Sequence, residues 1–177
     1  NSFSRWIDYW LQKLRPLIPS FLKNSEQLID DLNAIGELPP GALLFKADAQ
    51  SMYTNIDTEH ALLVINQWLD ELSDQVKLPP GFPLLPLKQA LEIVMRNNIV
   101  KFNDKYARQI SGTAMGKPPA PCWANIFEGL HEKSFLPKWR SFLPLYKRFI
   151  DDVQAAWYPP AGMEHEEAEA SWLDFKA

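Results

Sequence analysis

Two aspartates stand side by side in RFIDDVQAAW (residues 148–157), with Phe149, Ile150 and Val153 around them and Ala155 and Trp157 beyond. Aspartate disfavours strands and adjacent carboxylates repel, yet the flanking residues carry the apolar pattern of a short β-hairpin. A hard divalent cation reverses that repulsion: Mg²⁺ takes oxygen ligands, commonly a few carboxylates together with substrate phosphates. Most adjacent aspartates are solvated turns, and Asp30-Asp31 reads that way, as the polar face of a short helix. A third carboxylate sets Asp151 and Asp152 apart. Asp48 ends the apolar run ALLFKA, as Asp151 ends LYKRFI. If those runs are neighbouring strands, Asp48, Asp151 and Asp152 gather at one end of a sheet. Two cations about 3.5–4 Å apart in such a cluster could activate a hydroxyl and stabilise a leaving pyrophosphate during in-line displacement.

Apolar spacing gives the elements that must position these groups. Phe3, Trp6, Trp10 and Leu14 fall at helical spacing, and Pro16 and Pro19 are expected to end that helix. A short amphipathic helix follows through Leu28, Ile29 and Leu32, capped by Asn24 or Ser25 and stopped at Gly36. Leu43–Ala47 reads as a buried strand. Asp57 or Thr58 caps a helix with Leu62, Ile65, Leu69 and Leu72 on one face, and another runs through Leu87, Leu91, Val94 and Met95. IVKFNDKYARQI reads as a hairpin turning at Asn103-Asp104. The Gly/Pro loop SGTAMGKPPAP precedes a helix through Trp123, Ile126, Phe127 and Leu130, and PLYKRFIDDVQAAWYPP closes as two short strands. There is no repeat and no regular βα alternation, so the fold class is α+β, with helices packed on one face of a small antiparallel sheet. Trp6, Trp10, Trp68 and Trp123 sit in helical apolar stripes and read as core residues. His60, at a helix start, reads as a surface or capping residue.

At 177 residues the length fits one domain, and 46% hydrophobic residues with seven tryptophans suffice for a sizeable core. The single Cys122 excludes an intramolecular disulfide framework and a cysteine-based zinc site, and fits a reduced intracellular setting. No apolar run approaches the roughly 20 residues that cross a bilayer, so no membrane association is expected. NSFSRWIDYW does not read as a signal peptide. A net charge of −4 counts against a stand-alone nucleic-acid binder. The charge is unevenly spread: residues 133–148 are locally basic, whereas MEHEEAEA (163–170) is acidic and reads as solvated surface.

FKADAQSMYTNID, QISGTAMGKPPAPCWANIFE and YKRFIDDV resemble, in order, the three central palm motifs of reverse transcriptases. The spellings SMYTNI and GTAMGKPPAP are most similar to the Penelope-like retroelement branch, whose enzymes are related to telomerase. The resemblance runs from about Leu43 to Trp157. It implies a polymerase palm over residues 41–160, a helical segment leading into it over 1–40, and an acidic C-terminal segment, 161–177, that stops before a thumb. On this resemblance Asp48 and Asp151 are the principal ligands of Mg²⁺ (or Mn²⁺), Asp152 is their secondary partner, and the Ala49 carbonyl is a further ligand. Tyr53 matches the aromatic position beneath the nucleotide sugar, where a ring would clash with a 2′-hydroxyl. Gln109, Gly112, Met115 and Gly116 match the motif that meets the incoming nucleotide and template, and Lys147 and Arg148 would contact a primer backbone.

Each of these residues also has an ordinary reading. Tyr53 suits a core or helix entry, the glycine loop a hairpin exit, and Lys147 and Arg148 an exposed strand edge. Two positions depart from the family's pattern: Lys117 replaces a small hydroxyl residue, and Phe149 replaces a tyrosine. The implied partners are an RNA template, a DNA primer and deoxynucleoside triphosphates. The implied location is the nucleus if the chain belongs to a retroelement. Fingers, thumb and GIY-YIG nuclease segments are expected to be missing, so the fragment alone should polymerise weakly or not at all. The alternatives are a degenerate or domesticated palm that binds nucleic acid or protein without catalysis, and an RNA-templated RNA polymerase.

Overall fold

The computed structural model describes residues 2–113 and 115–176; Ala114 of the SGTAMG loop and the two terminal residues lie outside them. In chain order the elements are α1 (Ser2–Gln12), α2 (Ser25–Ile35), β1 (Leu43–Asp48), α3 (Met52–Asn55), α4 (Thr58–Asp74) and α5 (Leu84–Arg96). They continue with β2 (Ile99–Phe102), β3 (Lys105–Arg108), α6 (Ala120–Trp139), β4 (Leu145–Phe149), β5 (Asp152–Trp157) and α7 (His165–Lys176). Two compact units divide the chain. One comprises the residues through Pro19 with Gln50–Leu130; the other comprises Ser20–Ala49 with the residues from His131 onward.

The first unit is a helical core carrying a hairpin. Asp57 caps α4, its side chain accepting the His60 N–H at 2.7 Å, and His60 itself is exposed, edge-on to Phe127. Leu62, Ile65, Leu69 and Leu72 are buried on one face of α4, as their spacing predicts, and Leu87, Leu91, Val94 and Met95 on one face of α5. Ile7 and Leu11 of α1, and Trp123 and Ile126 of α6, are fully buried. Each such aliphatic side chain stabilises the fold by about 1.5–3 kcal/mol. Trp68 and Trp123 are core residues as expected, while Trp6 and Trp10 are half-buried. Pro16 does not end α1: the helix closes at Gln12, and Pro16 sits at the second position of a 3₁₀ turn, Arg15–Leu17, where its missing N–H breaks no bond. The hairpin pairs β2 with β3 and turns at Asn103, which takes φ +52°.

The second unit is built on a three-stranded antiparallel sheet in the order β1-β5-β4. Residues 20–22 extend it past β4: the Leu22 N–H donates to the Arg148 carbonyl at 2.9 Å, and the Arg148 N–H to the Ser20 carbonyl at 2.7 Å. Asn24 is the cap of α2, accepting the Gln27 N–H at 3.0 Å. The expected apolar face of α2 is mostly open, with Ile29 and Leu32 exposed. The expected buried strand, β1, is also largely exposed. It is an edge strand, and of its side chains Phe45 is the one packed against the aromatic core. That core joins Trp139 and Phe142 to Trp157, and α7 closes it by laying Trp172 and Phe175 over Phe45 and Trp157. The acidic C-terminal run is therefore one side of a docked helix. Its glutamates are exposed, as charge predicted, while the two aromatics at i and i+3 face inward. The architecture is α+β, with α6 and α7 packed against one face of the sheet and α2 lying along β4.

Candidate carboxylate site

The antiparallel register sets Asp48, the last residue of β1, opposite Asp152, the first residue of β5. One step beyond, the Ala49 N–H donates to the Asp151 carbonyl at 3.0 Å. Residues more than a hundred positions apart thus meet at one end of the sheet. Ile150, just before them, takes φ +58°, a conformation that disfavours β-branched side chains and costs on the order of 1–3 kcal/mol. Arg148 holds that turn. Its Nη1 donates to the Ile150 carbonyl at 2.7 Å. Its Nε and Nη2 donate to the two carboxylate oxygens of Glu132 at 2.6 and 3.1 Å. Glu132 also accepts the Tyr146 hydroxyl at 3.1 Å and the Ser20 hydroxyl. Arg148 is 1% exposed and Glu132 4%, so both charges are desolvated. Such a pair survives in a core only when its remaining donors and acceptors are satisfied, as they are in this network.

On the sheet face that carries Asp48 lies Lys46, two residues earlier in β1. Its Nζ stands 2.8 Å from Asp152 Oδ1. The hydrogen bond and charge of Asp152, and then the charges of Asp48 and Asp151, raise the Lys46 pKa above its usual range. The Lys46 ammonium thus lies beside the Asp152 carboxylate. Among the described residues, no group of three or more His, Cys, Asp or Glu side chains is arranged to hold a metal ion. The backbone gathers an all-oxygen donor set suited in chemistry to a hard cation. A cation there would compete with Lys46 for Asp152.

Tyr53, Gln109, Gly112, Met115 and Gly116 all fall in the first unit. Tyr53 is half-buried on α3, and its carbonyl accepts the Thr113 N–H at 2.6 Å. Gly112 lies against the same backbone: at φ +77°, a Cβ would stand 2.8 Å from the Tyr53 carbonyl oxygen and 2.9 Å from the Thr54 Cα. Its close approach to protein is thus to α3. Gly116, at φ +90°, faces open space and Met115 is exposed. Gln109 braces the loop, its Nε2 donating to the Ser111 carbonyl at 2.8 Å.

Two basic residues differ from expectation, and a third, Lys117, is held by backbone carbonyls. Arg148 is no surface cation available to a primer backbone; Glu132 and the Ile150 carbonyl engage it in the core. Lys147 is mostly buried and lies 3.5 Å from Asp31, so that member of the Asp30-Asp31 pair is tied to β4. Lys117 Nζ donates to the Val94 and Asn97 carbonyls at 2.7 and 3.2 Å, closing the end of α5. Sequence reasoning missed Glu132 and Lys46. For Lys46 a signal existed, because alternation puts residues i and i+2 on one face. Glu132 gave none, since its partner lies sixteen residues away on another element.

No protein-family model matches the sequence, and no curated protein is similar to it. Among solved structures, the fold is similar to that of telomerase from Candida albicans, determined in complex with a TWJ fragment of telomeric RNA, with a TM-score of 0.63 and 14% identity. The match covers 98% of this chain and 32% of that one, so the chain spans about a third of its length. The likeness is one of fold, an α+β architecture shared along almost the whole of this chain.

Proposed function

We propose that the chain is the palm of an RNA-directed DNA polymerase, of the Penelope-like kind that its motif spellings resemble, transferring deoxynucleotides to a primer 3′-end. The observation that carries this reading is the β1–β5 register, which brings Asp48 to Asp152 and Ala49 to Asp151. Asp48, Asp151 and Asp152, with the Ala49 carbonyl, would hold Mg²⁺ or Mn²⁺, which supplies the charge that activates the 3′-hydroxyl and neutralises the leaving pyrophosphate. Arg148 keeps the Ile150 turn in place so that Asp151 stands at the sheet end. Tyr53, beneath the sugar, would favour deoxynucleotides over ribonucleotides. The test is Mn²⁺ titration followed by electron paramagnetic resonance. The wild type should bind Mn²⁺, and Asp151→Asn and Asp48→Asn should each abolish binding. Equal binding in all three proteins would refute the assignment.

A second reading rests on Lys46. Its ion pair with Asp152 neutralises part of the cluster without a metal, as a palm that contacts nucleic acid or protein without catalysis would require. If the wild type binds no Mn²⁺ and Lys46→Ala does, this second reading holds.

A further inference from the structure

We propose that the β2–β3 hairpin is a docking surface for single-stranded nucleic acid. The register puts Ile99, Lys101, Tyr106 and Arg108 on one face and Val100, Phe102, Lys105 and Ala107 on the other, and every one of these residues is exposed. Phe102 is 78% and Tyr106 70% exposed. A lone two-stranded ribbon is marginally stable in water, so large aromatics facing solvent on both sides are not explained by packing within the unit.

The charge indicates the occupant. Lys101, Lys105 and Arg108 face one acid, Asp104, giving this stretch a net positive charge within a chain of net −4. Among the described residues these three cations make no ion pair, whereas nearby Arg96 is bonded to Glu59 through two nitrogens. Lys101 Nζ sits 5.6 Å from the Tyr106 ring centre, so a cation and a stacking platform share one face. Unpaired cations interleaved with exposed rings suit a phosphate backbone with unstacked bases. The core of a protein interface, by contrast, is depleted in lysine. The inference stands apart from the carboxylates and needs no catalysis.

The test is fluorescence anisotropy with labelled oligouridylate, oligothymidylate and a DNA duplex over a range of salt. Wild-type protein should bind one or both single strands more tightly than the duplex, and the RNA and DNA arms identify which. Lys101→Gln/Arg108→Gln should weaken binding about tenfold and flatten the salt slope by about 1.4, the loss of two phosphate contacts. Phe102→Ala/Tyr106→Ala should weaken binding by about tenfold or more with the slope unchanged. All four positions are exposed, so melting temperatures should stay near wild type; Lys105→Gln serves as the single-site check if either double variant fails to fold. Wild-type affinity in the folded variants would overturn the proposal. So would absence of single-strand binding, or self-association through the hairpin in its place. Mn²⁺ binding on the same samples should be unaffected, which separates failure of this inference from failure of the carboxylate assignment.

Discussion

Among single residues, Arg148 and Glu132 decide how the carboxylate turn is held. Ile150 stays in a left-handed conformation next to Asp151, and the bond between its carbonyl and Arg148 is the visible restraint. Removing the guanidinium leaves Glu132 charged and buried, with only the Tyr146 and Ser20 hydroxyls as donors among the bonds described. Arg148→Ala should therefore destabilise the protein by about 3–5 kcal/mol in urea unfolding, as breaking one side of a buried pair does. Arg148→Met combined with Glu132→Leu should recover most of that loss, because no orphaned charge remains. If the double variant is as unstable as the sum of its single changes, the two residues do not act as a pair. None of this was legible in RFIDDV, where an arginine beside a charged turn reads as surface. Its burial depends on a glutamate from another helix, and short-range pattern carries no information about such a partner.

At the level of elements, legibility followed the range of the interactions. The α4 cap, the α4 and α5 stripes, the Asn103 turn and the strands around the aspartates come from contacts within a few residues, and spacing reveals those. Whether a strand is central or at an edge is set by topology, so β1 was expected to be buried and is exposed. The helix α7 was hidden by its own glutamates, which outnumber the two aromatics that dock it. Loop positions give two sharper tests. Gly112→Ala must place a Cβ 2.8 Å from the Tyr53 carbonyl oxygen at a positive φ, so it should cost about 2 kcal/mol or more in urea unfolding. Gly116→Ala, at a positive φ in open space, should cost about 1 kcal/mol. Lys117→Met removes the donor closing α5 and should cost about 1 kcal/mol at neutral pH. Burial lowers the Lys117 pKa below 10.5. Between that lowered value and 10.5 the unfolded chain holds the extra proton, so wild-type stability should rise with pH through this window relative to Lys117→Met.

For the whole molecule, the three aspartates come from stretches that the chain separates widely and that the β1–β5 pairing joins. Ser20–Ala49 supplies Asp48, and the residues from His131 onward supply Asp151 and Asp152, so the second unit exists only when both stretches have come together. The unfolded chain keeps these carboxylates apart and has no comparable affinity for a divalent ion. A cation that binds the folded state alone must then raise its stability, by about 2.7 kcal/mol when present at a hundred times its dissociation constant. Part of that gain is offset by the Lys46 ion pair, which the cation has to displace from Asp152; both side chains are well exposed, so the offset is small. Thermal melts with and without saturating Mn²⁺ should show a clear upward shift for the wild type and a slightly larger one for Lys46→Ala. No shift should appear for Asp48→Asn or Asp151→Asn. A wild-type melt indifferent to Mn²⁺, alongside a Lys46→Ala melt that responds, would mean that the lysine has taken the place of the metal.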